Sequence, residues 1–284
     1  MRAAVLGSPI AHSLSPFLHR AAYCEMGLAG WSYEAFECDE AALPALLRGM
    51  RPVRGEGPDQ AGTWAGLSLT MPLKRAVLPL LDTVSARAVE VGGVNTVIFG
   101  DGAAHGENTD VYGIKQALAE AGVPAPRSAT VLGGGATACS ALAALRDQGL
   151  FAATLIVRDP ARAGETAKAA ERLGVSLAVR TFDKIDAVAH ADLVVSTLPA
   201  GGADAYASRL ARVPALFDVV YSPWPTRAAA AVRAAGGTVV GGYAMLLHQA
   251  VRQVELMTGR SDVPVEAMRA AGEAEIIRRA GRTG

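Results

Sequence analysis

Short apolar runs bounded by glycine or proline recur along the chain and alternate with longer segments in which apolar residues return at helical spacing. That alternation is the pattern of βα units feeding a parallel sheet. The runs predict strands over 3–6, 32–37, 65–69, 94–99, 130–132, 154–157, 177–181, 193–197, 216–220 and 238–240, with helices filling most of the gaps. Between 94 and 108 the pattern changes, because two runs flank Gly100-Asp101-Gly102, and this predicts a hairpin. A helix is expected from near Thr109 to the proline-punctuated connector at 124–126, and the domain junction near that helix. From Tyr243 onward the pattern is helical with no further strand, so these helices are expected to pack back on the first domain.

Length supports two domains, since 284 residues exceed the ~100 to 200 usual for one core. Lys plus Arg and Asp plus Glu each count 27, so no net field favours nucleic acid or an acidic membrane surface. A small-molecule partner is the expectation, with the chain a monomer or homodimer. Cys24, Cys38 and Cys139 are scattered and odd in number, matching neither a disulfide framework nor a zinc site. Gly7 and Pro9 interrupt the first apolar run too early for a secretory signal, and glycine, proline or charge breaks every run before the ~18 residues a membrane helix needs. A cytoplasmic location is therefore expected.

The segment TVLGGGATACSALAAL runs from a predicted strand through Gly133, Gly134 and Gly135, then Ala136, into a helix with Ala138 three residues after Gly135. This is the G-x-G-x-x-A form of the dinucleotide fingerprint, in which the first glycine makes the turn and the second lets backbone approach a pyrophosphate at a helix N-terminus. A ligand-free strand-to-helix turn gives the same match, but the strand over 154–157 follows at βαβ distance and ends in Arg158-Asp159-Pro160-Ala161-Arg162. The tip of that strand faces the adenosine ribose. There Arg158 and Arg162 favour a 2′-phosphate, Asp159 favours a free 2′-hydroxyl, and Asp159 is alternatively the N-cap of a helix begun by Pro160.

Four other segments place polar groups at or just beyond strand C-termini: 12–15 (HSLS), 68–74 (SLTMPLK), 92–96 (GGVNT) and 107–110 (ENTD). In an open α/β sheet those ends line one crevice suited to a polyhydroxylated ligand. Each also has a plainer reading: Ser13 and Ser15 as helix caps before Pro16, Asn95 as a turn residue, Asp110 as an N-cap. Lys74 is harder to leave as structure, since the first turn of a helix is where the macrodipole least favours lysine. Held beside Asp110 and a carbonyl, it would donate a proton to the alkoxide formed when hydride arrives.

These motifs together resemble the shikimate dehydrogenase family over nearly the whole chain. The opening G-x-P-I-x-H-S-x-S-P is matched by Gly7, Pro9, Ile10, His12, Ser13, Ser15 and Pro16. The resemblance implies that Ser13 and Ser15 bind the carboxylate of shikimate, with His12 and the prolines shaping the loop. The family's N-V-T-x-P-x-K is matched from Ser68 to Lys74, implying Thr70 as a substrate ligand and Lys74 as the catalytic lysine; serine stands in place of the leading asparagine. A-V-N-T and N-T-D-x-x-G, at 93–96 and 108–113, imply Asn95 and Asp110 as substrate ligands, Asp110 also partnering Lys74. N-R-T-x-x-R aligns with 157–162 and keeps both arginines. Further on, the resemblance implies Tyr221 at the substrate edge, Gly242 and Met245 near nicotinamide, and Gln249 on the substrate. His105, His190 and His248 match no motif and are read as structural.

The resulting expectation is an α/β chain with an N-terminal α/β substrate domain, residues 1–110 plus 241–284, and a Rossmann-type NADP-binding domain, 111–240. It implies an NADP-dependent, metal-free reduction of 3-dehydroshikimate. One alternative is an NAD-dependent quinate/shikimate dehydrogenase, which Asp159 favours. Another is a non-catalytic nucleotide-dependent binding protein on the same fold, which Lys74 and Asp110 together argue against.

Overall fold

The structure is a computed structural model and describes residues 1–52 and 62–281. Two compact units emerge: Met1–Val89, Gly93–Thr109 and Gln249–Gly284 in one, Glu90–Gly92 and Asp110–His248 in the other.

The first unit is built on strands β1 (Arg2–Gly7), β2 (Ser32–Glu37), β3 (Trp64–Leu69), β4 (Thr83–Val84), β5 (Thr96–Gly100) and β6 (Ala103–Glu107), in sheet order β2-β1-β3-β5-β6-β4. β1 runs parallel to β2 and β3, while β5 runs antiparallel to both its neighbours, β3 and β6. β1 and β3 are buried along nearly their whole length, which is why they read as apolar runs rather than alternations. The β5–β6 hairpin turns through Asp101 (φ 50°) and Gly102 (φ 74°), the two left-handed residues a tight primed turn requires. β4 is too short to leave a periodic signal and was not expected. β5 starts two residues later than predicted, because Val94 N–H bonds to the Lys74 carbonyl and Asn95 N–H to that of Glu107, outside a regular ladder. Leu6, Leu67, Leu69, Leu73, Val94 and Val97 belong to its core. The C-terminal helix Val265–Ala280 packs on the helix Ser15–Glu25, as the strand-free tail implied.

The second unit carries β7 (Ala129–Leu132), β8 (Ala152–Val157), β9 (Ser176–Thr181), β10 (Leu193–Ser196), β11 (Ala215–Asp218) and β12 (Thr238–Gly241) in order β12-β11-β10-β7-β8-β9, every pair parallel. Counted from β7 this is the doubly wound order 3-2-1-4-5-6, with its switch point between β7 and β10. β11 stops at Asp218, short of the predicted 220. The Asp218 carboxylate accepts from Val220 N–H (3.2 Å) and from the Thr226 hydroxyl (2.8 Å), turning the chain.

The helix Gly242–Thr258 was expected to begin the return to the first unit, but its opening turns, through His248, go with the second. Met245 lies in that unit's apolar core, Gly242 N–H bonds to the Val220 carbonyl (3.1 Å), and His248 pairs with Glu120 at 2.6 Å. Among the described residues no helix is long and apolar enough to cross a membrane, and no three His, Cys, Asp or Glu side chains form a metal-holding group.

Candidate active site

Because β1 and β3 are parallel neighbours, the loops leaving their C-terminal ends meet. Ser8 N–H donates to the Met71 carbonyl (2.9 Å) and Thr70 N–H to that of Leu6 (3.0 Å). A Cβ on Gly7 would lie 2.3 Å from Thr70 Cγ2, so this approach requires glycine. Thr70 is half-buried at the junction. Lys74 follows on the short helix Leu73–Ala76, half-buried, and its carbonyl accepts from Val94 N–H (2.8 Å), which ties the lysine segment to the Asn95 segment.

Ser13 and Ser15 share the β1 loop but are engaged differently. Ser13 Oγ accepts from Ser15 N–H (3.3 Å), a local turn contact that uses a lone pair and not the hydroxyl proton. Ser15 is buried, with its side chain close to the Tyr33 phenol. Tyr33 Oη donates to Ser68 Oγ (2.6 Å), Ser68 Oγ to Gln253 Oε1 (2.8 Å), and Gln253 Nε2 to Thr96 Oγ1 (3.0 Å) and the Asn95 carbonyl (3.3 Å). Burial pushes the Tyr33 phenol far above its ordinary range, so it stays protonated. His19 stacks on Tyr33 (centroids 3.9 Å apart) and its Nδ1 meets the Ser15 carbonyl at 2.9 Å.

Asn95 is buried, and its turn position is secondary to its hydrogen bonds. Oδ1 accepts from Thr109 N–H (2.8 Å) and Thr96 Oγ1 (2.9 Å), while Nδ2 donates to Thr109 Oγ1 (2.9 Å) and, at 3.4 Å, to Gln249 Oε1. The structure thus brings Asn95 and Gln249 together. Asp110 begins the helix Asp110–Glu120 of the second unit and is buried there.

In the second unit Gly133 follows β7, with φ +93° and a Cβ that would meet Thr197 Oγ1 at 2.7 Å. A Cβ on Gly134 would press Val157 at 3.2 Å, whereas one on Gly135 would meet nothing within 4 Å. The loop is therefore closed behind its first two glycines and open at the third. Thr166 Oγ1 donates to the Gly134 carbonyl (2.9 Å) and Thr197 Oγ1 to that of Leu132 (2.8 Å), fixing the loop from behind. The helix Ala136–Asp147 starts without a side-chain cap; Ala138 N–H donates to the Gly135 carbonyl (3.1 Å), while helix geometry leaves the N–H groups of Ala136 and Thr137 without an intrahelical acceptor. Ala138 is fully buried, the small residue that lets this helix lie close to the sheet.

Arg158 and Arg162 are exposed beyond β8. Asp159 Oδ1 accepts from Ala161 N–H (2.9 Å), capping the short helix that Pro160 opens. Tyr221 is half-buried after β11. Gly242 and Met245 have structural reasons of their own: a Cβ on Gly242 would lie 1.9 Å from the Val219 carbonyl oxygen, and Met245 packs in the core.

Residues 5–97 match the substrate-binding domain of shikimate dehydrogenase and residues 242–271 the C-terminal domain of shikimate 5′-dehydrogenase. A shikimate dehydrogenase (NADP(+)) of Oleidesulfovibrio alaskensis is 35% identical over 284 residues, covering 94% of this chain and 92% of that protein. The chain belongs to the shikimate dehydrogenase family. Among shikimate dehydrogenases of known structure, that of Mycobacterium tuberculosis is 44% identical with a TM-score of 0.84, covering 96% of this chain and 99% of its own. That of Thermus thermophilus, solved in complex with NADP(H) and shikimate, is 33% identical with a TM-score of 0.80, covering 96% and 99%.

Within their own units, Tyr33, Ser68, Gln253 and Thr109 brace the segments of Ser68 and Asn95, and Thr166 braces the glycine loop; none of the five is expected from sequence as a site residue. Gln253 had one legible signal, since it lies four residues after Gln249 and so on the same helix face. Tyr33 and Thr166 had none, because each acts through a neighbour distant in sequence.

Proposed function

We propose that the chain catalyses the reversible NADPH-dependent reduction of 3-dehydroshikimate to shikimate, a step of aromatic amino acid biosynthesis. The observation that carries this reading is Asn95, buried and oriented by Thr96 and Thr109 with its amide turned to Gln249, within the segment similar to the family's substrate-binding domain. Neutral amides and hydroxyls with fixed donors and acceptors suit the hydroxyls of a cyclohexene acid. Ser13 and Ser15 take its carboxylate, with Thr70, Tyr221 and Gln249 completing the contacts.

The glycine loop fits a dinucleotide, since a side chain at Gly133 would collide and one at Gly134 would crowd Val157, while Gly135 opens on free space before an uncapped helix. When bound, NADPH supplies the hydride. Lys74 then gives its proton to the oxygen that becomes the 3-hydroxyl, general-acid help worth ~10² to 10⁴ in rate, with Asp110 as its charge partner. Ala136 and Ala138 keep the helix close to the pyrophosphate, Arg158 and Arg162 supply charge-assisted bonds to the 2′-phosphate, and Gly242 and Met245 border the nicotinamide side. An NAD-using quinate/shikimate dehydrogenase would need Asp159 free to face the ribose, and its carboxylate is instead engaged by Ala161 N–H.

The equal counts of 27 cationic and 27 acidic residues support a small-molecule enzyme without nucleic acid or membrane partners, and the proposed enzyme is cytoplasmic, a monomer or homodimer. The test is the initial rate of oxidation of shikimate and quinate, each with NADP and with NAD. Shikimate with NADP is expected to give the highest kcat/KM. A higher value for quinate with NAD overturns the assignment.

A further inference from the structure

At the end of the C-terminal helix two guanidinium groups share one buried carboxylate. Arg278 donates to Glu275 through Nε (2.6 Å) and Nη2 (2.7 Å), and Arg279 donates through Nε (2.5 Å). The Glu275 side chain is only 3% exposed, and the two arginines hold its carboxyl down at about 2. Two positive charges and one negative leave the cluster with a net single positive charge.

Part of that charge does not stay on its own helix. Arg279 Nη1 donates to the His12 carbonyl (2.6 Å) and Nη2 to the Ser13 carbonyl (3.2 Å), while its guanidinium lies 5.5 Å from the centroid of the Phe17 ring. A basic residue in the last turn ordinarily serves the helix's own free carbonyls. Here the fork is spent on two consecutive carbonyls 267 and 266 residues earlier in the chain, in the loop that carries Ser13 and Ser15. Those serines are neutral. A loop built only from hydroxyls distinguishes a carboxylate from a carboxamide poorly, because both present acceptors to an O–H donor.

From this geometry we infer that Arg279, braced by Glu275, is the positioning residue that makes the serine loop selective for an anionic ligand. It fixes the two peptide groups before Ser15 and places a positive charge directly behind Ser13. The inference rests on the reading of Ser13 as a carboxylate ligand and adds to it a source of charge discrimination. The matched C-terminal domain ends at residue 271, before Arg279.

The experiment compares wild type, Arg279→Gln, Arg279→Lys and Ser13→Ala. It measures KM and kcat for shikimate, the inhibition constant of the carboxamide analogue of shikimate, and KM at low and high NaCl. One charge close behind the site, at the dielectric of a protein surface, corresponds to about a 5- to 10-fold effect. Arg279→Gln is expected to raise KM for shikimate by that factor, with kcat and the carboxamide inhibition constant each within about twofold of wild type. Arg279→Lys is expected to recover part of the loss, and high salt to narrow the gap between wild type and Arg279→Gln. A parallel loss of shikimate and carboxamide binding, or a KM ratio indifferent to salt, would make Arg279 a loop support only and overturn the inference. If Ser13→Ala leaves KM for shikimate unchanged, the carboxylate reading itself fails. If Ser13→Ala raises it and Arg279→Gln does not, the inference alone fails.

Discussion

His19 is completely buried, and burial lowers its pKa from 6.5 to about 4 against the opposing pull of the Ser15 carbonyl. Nδ1 meets that carbonyl, and Nε2 is buried without a hydrogen-bond partner. Protonation would therefore put a proton where no acceptor waits. The unfolded chain takes up a proton as pH falls through 6.5, whereas the folded chain resists until about 4. Stability contributed by neutral His19 is thus fully present above 6.5 and is lost as pH falls toward 4, by about 2.5 kcal/mol at pH 4.5. His19→Asn keeps a donor near the Ser15 carbonyl but cannot titrate. It is expected to be less stable than wild type at pH 7.5, through lost packing on Tyr33, with the gap shrinking by about 2.5 kcal/mol at pH 4.5. Carrying Trp224→Phe in both proteins leaves Trp31 and Trp64, both in the first unit, to report urea unfolding there. A gap equal at the two pH values would show that His19 titrates normally in the fold and would refute the reasoning.

Other changes separate the remaining roles. Lys74→Ala is expected to lower kcat by ~10² to 10⁴ with a much smaller change in KM for shikimate, and steady-state kinetics would expose Lys74 as a mere ligand if only KM moved. Arg158→Ala is expected to remove most of the preference for NADP over NAD while NAD-dependent turnover stays nearly unchanged, and kcat/KM with each cofactor decides it. Gln253→Ala strips a donor from Thr96 and an acceptor from Ser68 in a buried site, so a loss of about 1 to 3 kcal/mol in stability and a higher shikimate KM are expected. Adding Ser68→Asn, which restores an amide in the vacated volume, should recover both, and calorimetry with kinetics would show whether it does.

The architecture was legible because its signals are local and repeated. β1, β3 and the central strands β7, β10 and β11 of the second sheet are buried along nearly their whole length, and Gly133 to Gly135 mark the turn after β7 by residue type alone. Asp159 was readable as a cap because Pro160 follows it, and its carboxylate is found on Ala161 N–H. What sequence left hidden is what depends on pairs far apart. Two-residue β4 exists only through its pairing with His105 and Gly106. Arg279 reads as one of several charges at a helix end, and only folding brings its guanidinium to the Ser13 carbonyl. Met245 and Gly242 carried motif signals, yet their observed surroundings are core packing and a close backbone approach, demands that a motif match does not distinguish from ligand contact.

The serine at position 68 shows how such hidden pairs fix the chemistry of a visible motif. The Asn95 carbonyl can only accept, so the Gln253 group facing it must be the amide nitrogen, and Oε1 must face Ser68. Ser68 then has to donate to Oε1 and can only accept from Tyr33, which in turn gives its own proton away. At the other end Thr109 N–H, an obligatory donor, fixes which side of the Asn95 amide is oxygen. Every proton in the chain from Tyr33 to Asn95 therefore points one way. The consequence reaches the two serines that look equivalent in the sequence. Ser13 spends a lone pair on Ser15 N–H, which leaves its hydroxyl proton for a carboxylate, and it is half-buried where Ser15 is buried. Ser13 is thus the more accessible donor of the pair, and it is also the residue whose carbonyl Arg279 holds.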